Sequence, residues 1–527
     1  MGRGYLELPE RLNLGQWVID RHVADGGGQR VAVRAGDTTH SYDDLRRLTN
    51  RAGNALRALG VGRGDRLLLR LGTNLDAMLA FLGGVKIGAV AMPTSPLLRE
   101  TELRAILRNS EAALAVVRPE LAAPLEALRR EGAWSGRLFV VPEGSGMFGG
   151  LLDGESDELE PVATGADEPG FMMYTSGTTG EPKGVVHAHR WILATGDPVT
   201  GVMLELGPAD VCFQPQDWSF IYALGCNFLF PFHAGASIVL PSGRFDPQEA
   251  VKTIADHRVT VFCAVPTIYR MMLAQLGPAD RPRLSSLRCA VSAGEPLPVD
   301  TFREWRERFG VTIHDGLGQT ESHMFMGNRV GATIKPGSMG RPLPGYEIAV
   351  LDDDGARRPA GQPGHLVIRN DHPGLALGYH RDAERWAEVN RDGWYYTKDF
   401  AYVDEDGDYW YVSRSDDLIK SRAYLISPKE VESALMEHPA VLEAGVIGTP
   451  DAVIGQTIHA FVTLKDSAAA CAALEEEIKA HTRRMLAPYK APHMIEFVTE
   501  LPKTLTGKVL RRRLRQHASL AGGERER

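Results

Sequence analysis

From about Arg30 to Leu240 the apolar positions alternate between a helical and a strand-like period. Ser41 to Leu59 carries apolar residues at helical spacing and opens on Ser41, a residue type that caps helix N-termini with its hydroxyl. Asp65 to Leu71 is a short apolar run that predicts a buried strand. The same rhythm returns at Val259 to Val265, Arg288 to Val291 and Val311 to Ile313. Repeated alternation of this kind predicts parallel sheets covered by helices. The longest apolar stretch, Leu75 to Leu98, is interrupted by Lys86 and carries Asp76 and Pro93 near its ends. It predicts a buried helix followed by a strand, not a membrane span.

The pattern changes from Gly345 to Val412. The turn pairs Asp354-Gly355, Asp392-Gly393 and Asp406-Gly407 separate short strands, which predicts antiparallel hairpins. A further unit begins near Asp416. A helix is expected at Ser427 to Met436 with Pro428 in its first turn, strands at Ala440 to Gly448 and His459 to Leu464, a helix at Ala468 to Leu486 and a strand at His493 to Val498. The expected fold class is α/β. A large N-terminal domain, residues 1–415, holds helix-covered sheets and a β-rich subdomain at about 345–415, and a small mobile α+β domain follows at 416–527.

Composition narrows the function classes. The 527 residues are 43% hydrophobic and 24% charged, an ordinary globular balance, and the net charge of -8 argues against a nucleic-acid partner. The five cysteines, Cys212, Cys226, Cys263, Cys289 and Cys471, form no CxxC pair. A disulfide framework or zinc site is not expected, and a reducing compartment is. The first residues lack a signal-peptide apolar core. A soluble cytoplasmic protein without membrane partners, monomeric or homodimeric, is the expectation.

The strongest chemical signal is Tyr174-Thr-Ser-Gly-Thr-Thr-Gly-Glu-Pro-Lys-Gly184, which follows the apolar run Phe171 to Tyr174. Gly177, Gly180 and Gly184 let the backbone approach a ligand closely. Thr175, Ser176, Thr178 and Thr179 supply hydroxyls, successive amides can cup an anion, and Lys183 adds a cation. The segment is not a Walker A loop, because Pro182 and Gly184 stand where that motif needs Gly and Ser or Thr.

This segment resembles the phosphate loop of the adenylate-forming superfamily, which contains acyl-CoA synthetases, adenylation domains of peptide synthetases and luciferases. The other family motifs follow in order along nearly the whole chain. Ser292-Ala-Gly-Glu-Pro296 resembles the segment beside the adenine, which gives Gly294, Glu295 and Pro296 a nucleotide-binding role. His314-Asp-Gly-Leu-Gly-Gln-Thr-Glu321 resembles the next motif. By that resemblance Asp315 and Gly316 join the nucleotide site, Thr320 contacts the α-phosphate and Glu321 holds Mg²⁺, a hard cation suited to carboxylate oxygen. Asp399 matches the aspartate that accepts both ribose hydroxyls, and Arg414 the arginine near the ribose and phosphates. Asp416 matches the hinge about which the C-terminal lid domain turns. Lys508, in Pro502-Lys-Thr-Leu-Thr-Gly-Lys508, matches the lysine of the adenylation step.

The resemblance is nearest to benzoate- and 2-aminobenzoate-CoA ligases, through Leu8 to Asn13, Met92 to Glu100 and the aromatic tract Trp218 to Phe232. It implies an acid pocket of Phe220, Tyr222, Ala223, Gly318 and His323. It implies ATP, Mg²⁺ and coenzyme A as cofactor and co-substrates, with a small carboxylic acid as the partner molecule. The family usually has Gly in the loop after the hinge, where this chain has Ala423. A methyl group there would crowd the pantetheine tunnel, so a stand-alone enzyme loading a carrier protein is kept as an alternative. A medium-chain fatty acyl-CoA synthetase is the other.

Overall fold

The computed structural model describes residues 7–142, 150–175, 182–414, 417–421, 424–451, 455–466, 470–503 and 509–525. By packing, the chain divides into two units: residues 1–348 with 368–395, and residues 349–367 with 396–527. Packing thus groups residues 396–414 with the C-terminal residues, whereas the sequence suggested a functional division at 415/416; residues 415 and 416 lie outside the described residues.

The first unit holds two large sheets. The nine-stranded sheet runs in the order Arg341–Pro342, His323–Gly327, Ile313–Gln319, Cys289–Ser292, Val261–Ala264, Val211–Phe213, Ser237–Val239, Val31–Ala35 and Thr38–Ser41. The seven-stranded sheet runs Gly378–Tyr379, Lys183–Ala188, Pro169–Thr175, Val90–Pro93, Arg66–Arg70, Leu114–Val117 and Arg137–Val140. Their centres are parallel, as alternation predicts. Their edges are not. Gln319 pairs antiparallel with His323, and Thr175 with Lys183. The expectation of parallel sheets does not extend to these pairs, whose connections of three and seven residues are too short for a helical crossover.

Local chemistry explains the helices. Tyr42–Ala58 starts at Ser41, whose hydroxyl accepts the Asp44 amide while the Asp44 carboxylate accepts the Ser41 amide. The apolar stretch becomes helix Leu75–Lys86 and strand Val90–Pro93, as expected. The interrupting Lys86 is fully buried, with Nζ 2.6 Å from the Asp20 carboxylate and 2.8 Å from Asn50 Oδ1. That contact staples helices Leu14–His22, Tyr42–Ala58 and Leu75–Lys86 together. An aromatic ladder joins the two sheets, with Phe171 and Trp191 at 5.1 Å, Trp191 and Phe230 at 5.2 Å, and Phe230 and His323 at 4.6 Å between ring centres.

In the second unit, residues 399–403 of strand Trp394–Val403 pair antiparallel with Tyr409–Arg414. Gly355 and Gly407 in this unit, and Gly393 in the first, have positive φ, as the expected turns require. Strands Val441–Asp451, Gly455–Leu464 and Met494–Phe497 form a three-stranded sheet. Helices Pro428–Met436 and Ala472–Met485 cover it through a core that includes Val431, Leu435, Val446, Ile458 and Ile478. Arg511 binds both carboxylate oxygens of Glu432 at 2.7 Å and reaches Asp417 at 3.1 Å, which ties the start of the last helix to the residues after 416. Cys212, Cys226, Cys263 and Cys289 are buried free thiols, and Cys471 is exposed. Among the described residues no helix is long and apolar enough to cross a membrane.

Candidate active site

Two hairpins of the first unit build the centre of the site. The glycine- and hydroxyl-rich segment does not lead from strand to helix; it connects Pro169–Thr175 to the antiparallel strand Lys183–Ala188. Thr175 therefore stands opposite Lys183, both half-buried. Ser176, Gly177, Thr178, Thr179 and Gly180 lie outside the described residues. The second hairpin joins Ile313–Gln319 to His323–Gly327. The strand expected at Val311 to Ile313 instead begins at Ile313 and runs to Gln319, and Thr320 and Glu321 lie in the turn.

That turn is held by tight backbone contacts. A Cβ on Gly318 would stand 2.5 Å from the His323 carbonyl oxygen, so only glycine allows this approach. His323 takes a left-handed conformation at φ +56, uncommon for a residue with a side chain. Its Nδ1 accepts the Met324 amide at 2.7 Å, which fixes the ring.

The hairpins meet at Lys183 and Glu321, whose Nζ and Oε1 are 2.7 Å apart. Tyr379 completes a triangle: Lys183 donates to its hydroxyl at 2.6 Å, and the hydroxyl donates to Glu321 Oε1 at 2.7 Å. Burial pushes the Glu321 carboxyl up, but the Lys183 charge and the hydrogen bonds from Lys183 and Tyr379 more than reverse this and hold it below the usual range. Sequence reasoning missed Tyr379. Its only signal is the pair Gly378-Tyr379, which is unremarkable at a strand edge.

The remaining nucleotide candidates of this unit gather at the C-terminal ends of adjacent parallel strands. Ser292 pairs with Asp315 in register, so Gly294 and Gly316 follow from neighbouring strand ends, where open α/β sheets bind ligands. Gly294 has φ +87, and a Cβ there would come within 3.3 Å of the Phe220 ring. Glu295 accepts a hydrogen bond from Thr267 at 2.9 Å, and Pro296 is half-buried. Asp315 is buried and Thr320 half-buried.

The acid-pocket candidates also come together. Helix Ile221–Leu224 packs on the second hairpin so closely that a Cβ on Gly225 would overlap His323 Nε2. Phe220 and Tyr222 meet edge to face at 6.4 Å. Tyr222 donates its hydroxyl to the Val291 carbonyl at 2.9 Å, so its oxygen is engaged within the protein. Ala223 is fully buried. Much of the aromatic tract is core: Phe228, Phe230 and Phe232 are fully enclosed. Burial pushes His323 down to about 3 and His187, behind the same turn, down to about 4, so both are neutral near pH 7.

In the second unit Asp399 and Arg414 face each other in register, with Nη1 3.2 Å from the Asp399 carboxylate and 3.2 Å from the Thr397 carbonyl oxygen. Asp399 is buried, so this is not a surface pair. Asp416, Ala423 and Lys508 lie outside the described residues.

A magnesium ion fits the first-unit centre. Among the described residues no three His, Cys, Asp or Glu side chains cluster as a protein-built metal cage. One ionised buried carboxylate beside a lysine is the donor set expected when phosphate oxygens supply the other ligands.

Comparison with known proteins gives the family. The AMP-binding enzyme family matches residues 19–380, and the AMP-binding enzyme C-terminal domain matches residues 430–508. A benzoate–CoA ligase of Thauera aromatica is 38% identical over 517 residues, covering 97% of each chain. The mitochondrial acyl-coenzyme A synthetase ACSM3 of Homo sapiens is 34% identical, covering 97% of this chain and 90% of its own. The crystal structure of the anthranilate CoA ligase AuaEII in complex with anthranoyl-AMP superposes with a TM-score of 0.89 at 36% identity, covering 98% of this chain and 99% of that one. The chain belongs to the AMP-binding enzyme family of the adenylate-forming superfamily and is an acid–thiol ligase, an acyl- or aryl-CoA ligase.

Proposed function

We propose that this enzyme joins an aromatic carboxylic acid of the benzoate or 2-aminobenzoate type to coenzyme A, with ATP cleaved to AMP and pyrophosphate. One observation carries the choice of acid. The rings of Phe220 and Tyr222, the bare backbone of Gly294 and Gly318 and the neutral imidazole of His323 gather around the strand ends that also carry Thr320 and Glu321. Flat apolar walls interrupted by glycine backbone suit a planar ring.

In the first step a carboxylate oxygen of the acid attacks the α-phosphorus and pyrophosphate leaves. No protein nucleophile is needed; the work is positioning and charge stabilisation. Lys183 places its ammonium against phosphate oxygens, and the Thr320 hydroxyl donates to the α-phosphate. Glu321 is the residue that would hold Mg²⁺, which when bound neutralises phosphate charge. Asp399 accepts the ribose hydroxyls, and Arg414 braces it and reaches toward phosphate. Lys508 bridges the acid and the α-phosphate. In the second step the lid domain, residues 416–527, turns about Asp416, the thiol of coenzyme A attacks the acyl carbonyl and AMP leaves.

A medium-chain fatty acid is the second reading, favoured by the likeness to ACSM3 over 97% of this chain. Mass spectrometry of the protein incubated with ATP, Mg²⁺ and a mixed panel of benzoates, aminobenzoates and fatty acids, with and without coenzyme A, separates the two. Aryl-AMP that becomes aryl-CoA on adding coenzyme A is the expected result. Preferential formation of fatty acyl-CoA replaces the first reading by the second. Acyl-AMP that persists despite coenzyme A points instead to a carrier-protein acceptor.

A further inference from the structure

Tyr379 stands where the two hairpins of the site converge, and its surroundings fix it independently of Lys183. Strand Gly378–Tyr379 lies antiparallel on Lys183–Ala188, with Tyr379 opposite Val185. The Leu377 amide donates to the Val186 carbonyl at 2.8 Å and the His380 amide to the Gly184 carbonyl at 2.7 Å, so backbone hydrogen bonds flank Tyr379 on both sides. The same segment reaches the other hairpin, where the Ala376 amide donates to the Glu321 carbonyl at 2.7 Å. The Tyr379 ring packs edge to face on Trp386 at 5.1 Å, and Trp386 stacks on Tyr395 at 5.6 Å. Tyr395 in turn donates to Gln319 Oε1 at 2.9 Å, at the end of the strand that leads into the Glu321 turn.

The Tyr379 hydroxyl has one proton. That proton goes to Glu321 Oε1, and the Lys183 ammonium fills the acceptor side while also lying 4.1 Å from the ring centre. Nucleotide phosphates compete with Glu321 for Lys183. A carboxylate as buried as Glu321 that loses the Lys183 cation is no longer held in place by it and can turn away. A donor fixed by its own strand prevents this, because a charge-assisted hydrogen bond sets the direction of the carboxylate.

We propose that Tyr379 is a positioning residue that holds the Glu321 carboxylate in the direction needed to bind Mg²⁺ once Lys183 is drawn to phosphate. The proposal rests on the reading of the site as an ATP–Mg²⁺ centre. Lys183 would exchange Glu321 for phosphate while the Tyr379 contact persists, which leaves Glu321 held as the residue that would bind Mg²⁺.

Tyr379→Phe keeps the ring, its packing on Trp386 and the cation–ring contact, and removes only the hydroxyl. Calorimetric titration of wild type and variant with ATP, with and without Mg²⁺, reads the effect without turnover. The expected result is a loss of about tenfold in the affinity that Mg²⁺ adds, with ATP affinity in its absence changed less than about twofold. Identical Mg²⁺ increments in variant and wild type overturn the proposal, as does a wild type whose ATP affinity ignores Mg²⁺. Mg²⁺-promoted ATP binding with no adenylate from any acid contradicts the reaction reading alone, and the calorimetric comparison still decides the role of Tyr379.

Discussion

Lys183 and Glu321 lie 138 residues apart in the chain and 2.7 Å apart in the fold, in an ion pair whose carboxylate side chain is 8% exposed. Each sits at or beside a hairpin turn at the antiparallel edge of a different sheet, and the Phe171–Trp191–Phe230–His323 ladder holds those sheets together behind them. Such a pair is weak evidence of stability, because desolvation offsets most of its attraction. In the proposed reaction its value is chemical: it would keep a cation for phosphate and a carboxylate for metal in one place.

Lys183→Met removes the cation and leaves the carboxylate buried with only the Tyr379 hydrogen bond and its local contacts. Adenylation is expected to fall by at least about 100-fold. Stability at pH 7 is expected to fall by about 3 kcal/mol. Without Lys183 the folded carboxyl rises above its unfolded value, so the loss is present above the new folded pKa and relieved below the unfolded one. Denaturant titrations at pH 7 and pH 5 check the sign: the gap between variant and wild type narrows at the lower pH.

Gly225→Ala places a methyl group on the His323 ring nitrogen. The ring is clamped by Nδ1 and by Phe230, so it cannot swing away without cost. A loss of about 1–3 kcal/mol is expected. His323→Ala opens the space, so the double variant should be less destabilised than the sum of the single changes, by at least about 1 kcal/mol in a double-mutant cycle. Additive losses would mean that helix Ile221–Leu224 does not rest on His323.

Buried neutral histidines set the acid side of the stability curve. Burial lowers His187 and His189 to about 4 and His323 to about 3, from 6.5. Below pH 6.5 the unfolded chain takes up protons that the folded imidazoles refuse. Stability therefore falls as pH drops from 6.5 toward 4. Thermal unfolding at half-unit steps from pH 7.5 to 5 should show a level midpoint above about 7 and a falling one below. A constant midpoint down to pH 5.5 contradicts the burial of these rings as neutral groups.

Much of the fold is legible in periodicity. The Ser41 cap, the helix and strand within Leu75 to Leu98, and the α+β order after Asp416 follow from local rules of capping, length and turn chemistry. The antiparallel edges are not legible, because a glycine-rich connection of seven residues between Thr175 and Lys183 reads equally as a hairpin or as the start of a crossover. Motif order along the chain singled out Lys183 and Glu321, and the fold brings them together. Tyr379 stayed hidden because its role depends on a strand pairing that no local pattern encodes. In the tract Trp218 to Phe232 composition could not separate wall from core: Phe220 touches the Gly294 loop, while Phe228, Phe230 and Phe232 hold the sheets together.

The central claim is that an aromatic acid is activated as its adenylate before coenzyme A takes part. Exchange of labelled pyrophosphate into ATP, measured without coenzyme A, tests it directly. Benzoate or 2-aminobenzoate should support rapid exchange, and Lys183→Met should abolish it. Exchange supported by no carboxylic acid, or only once coenzyme A is added, would contradict it.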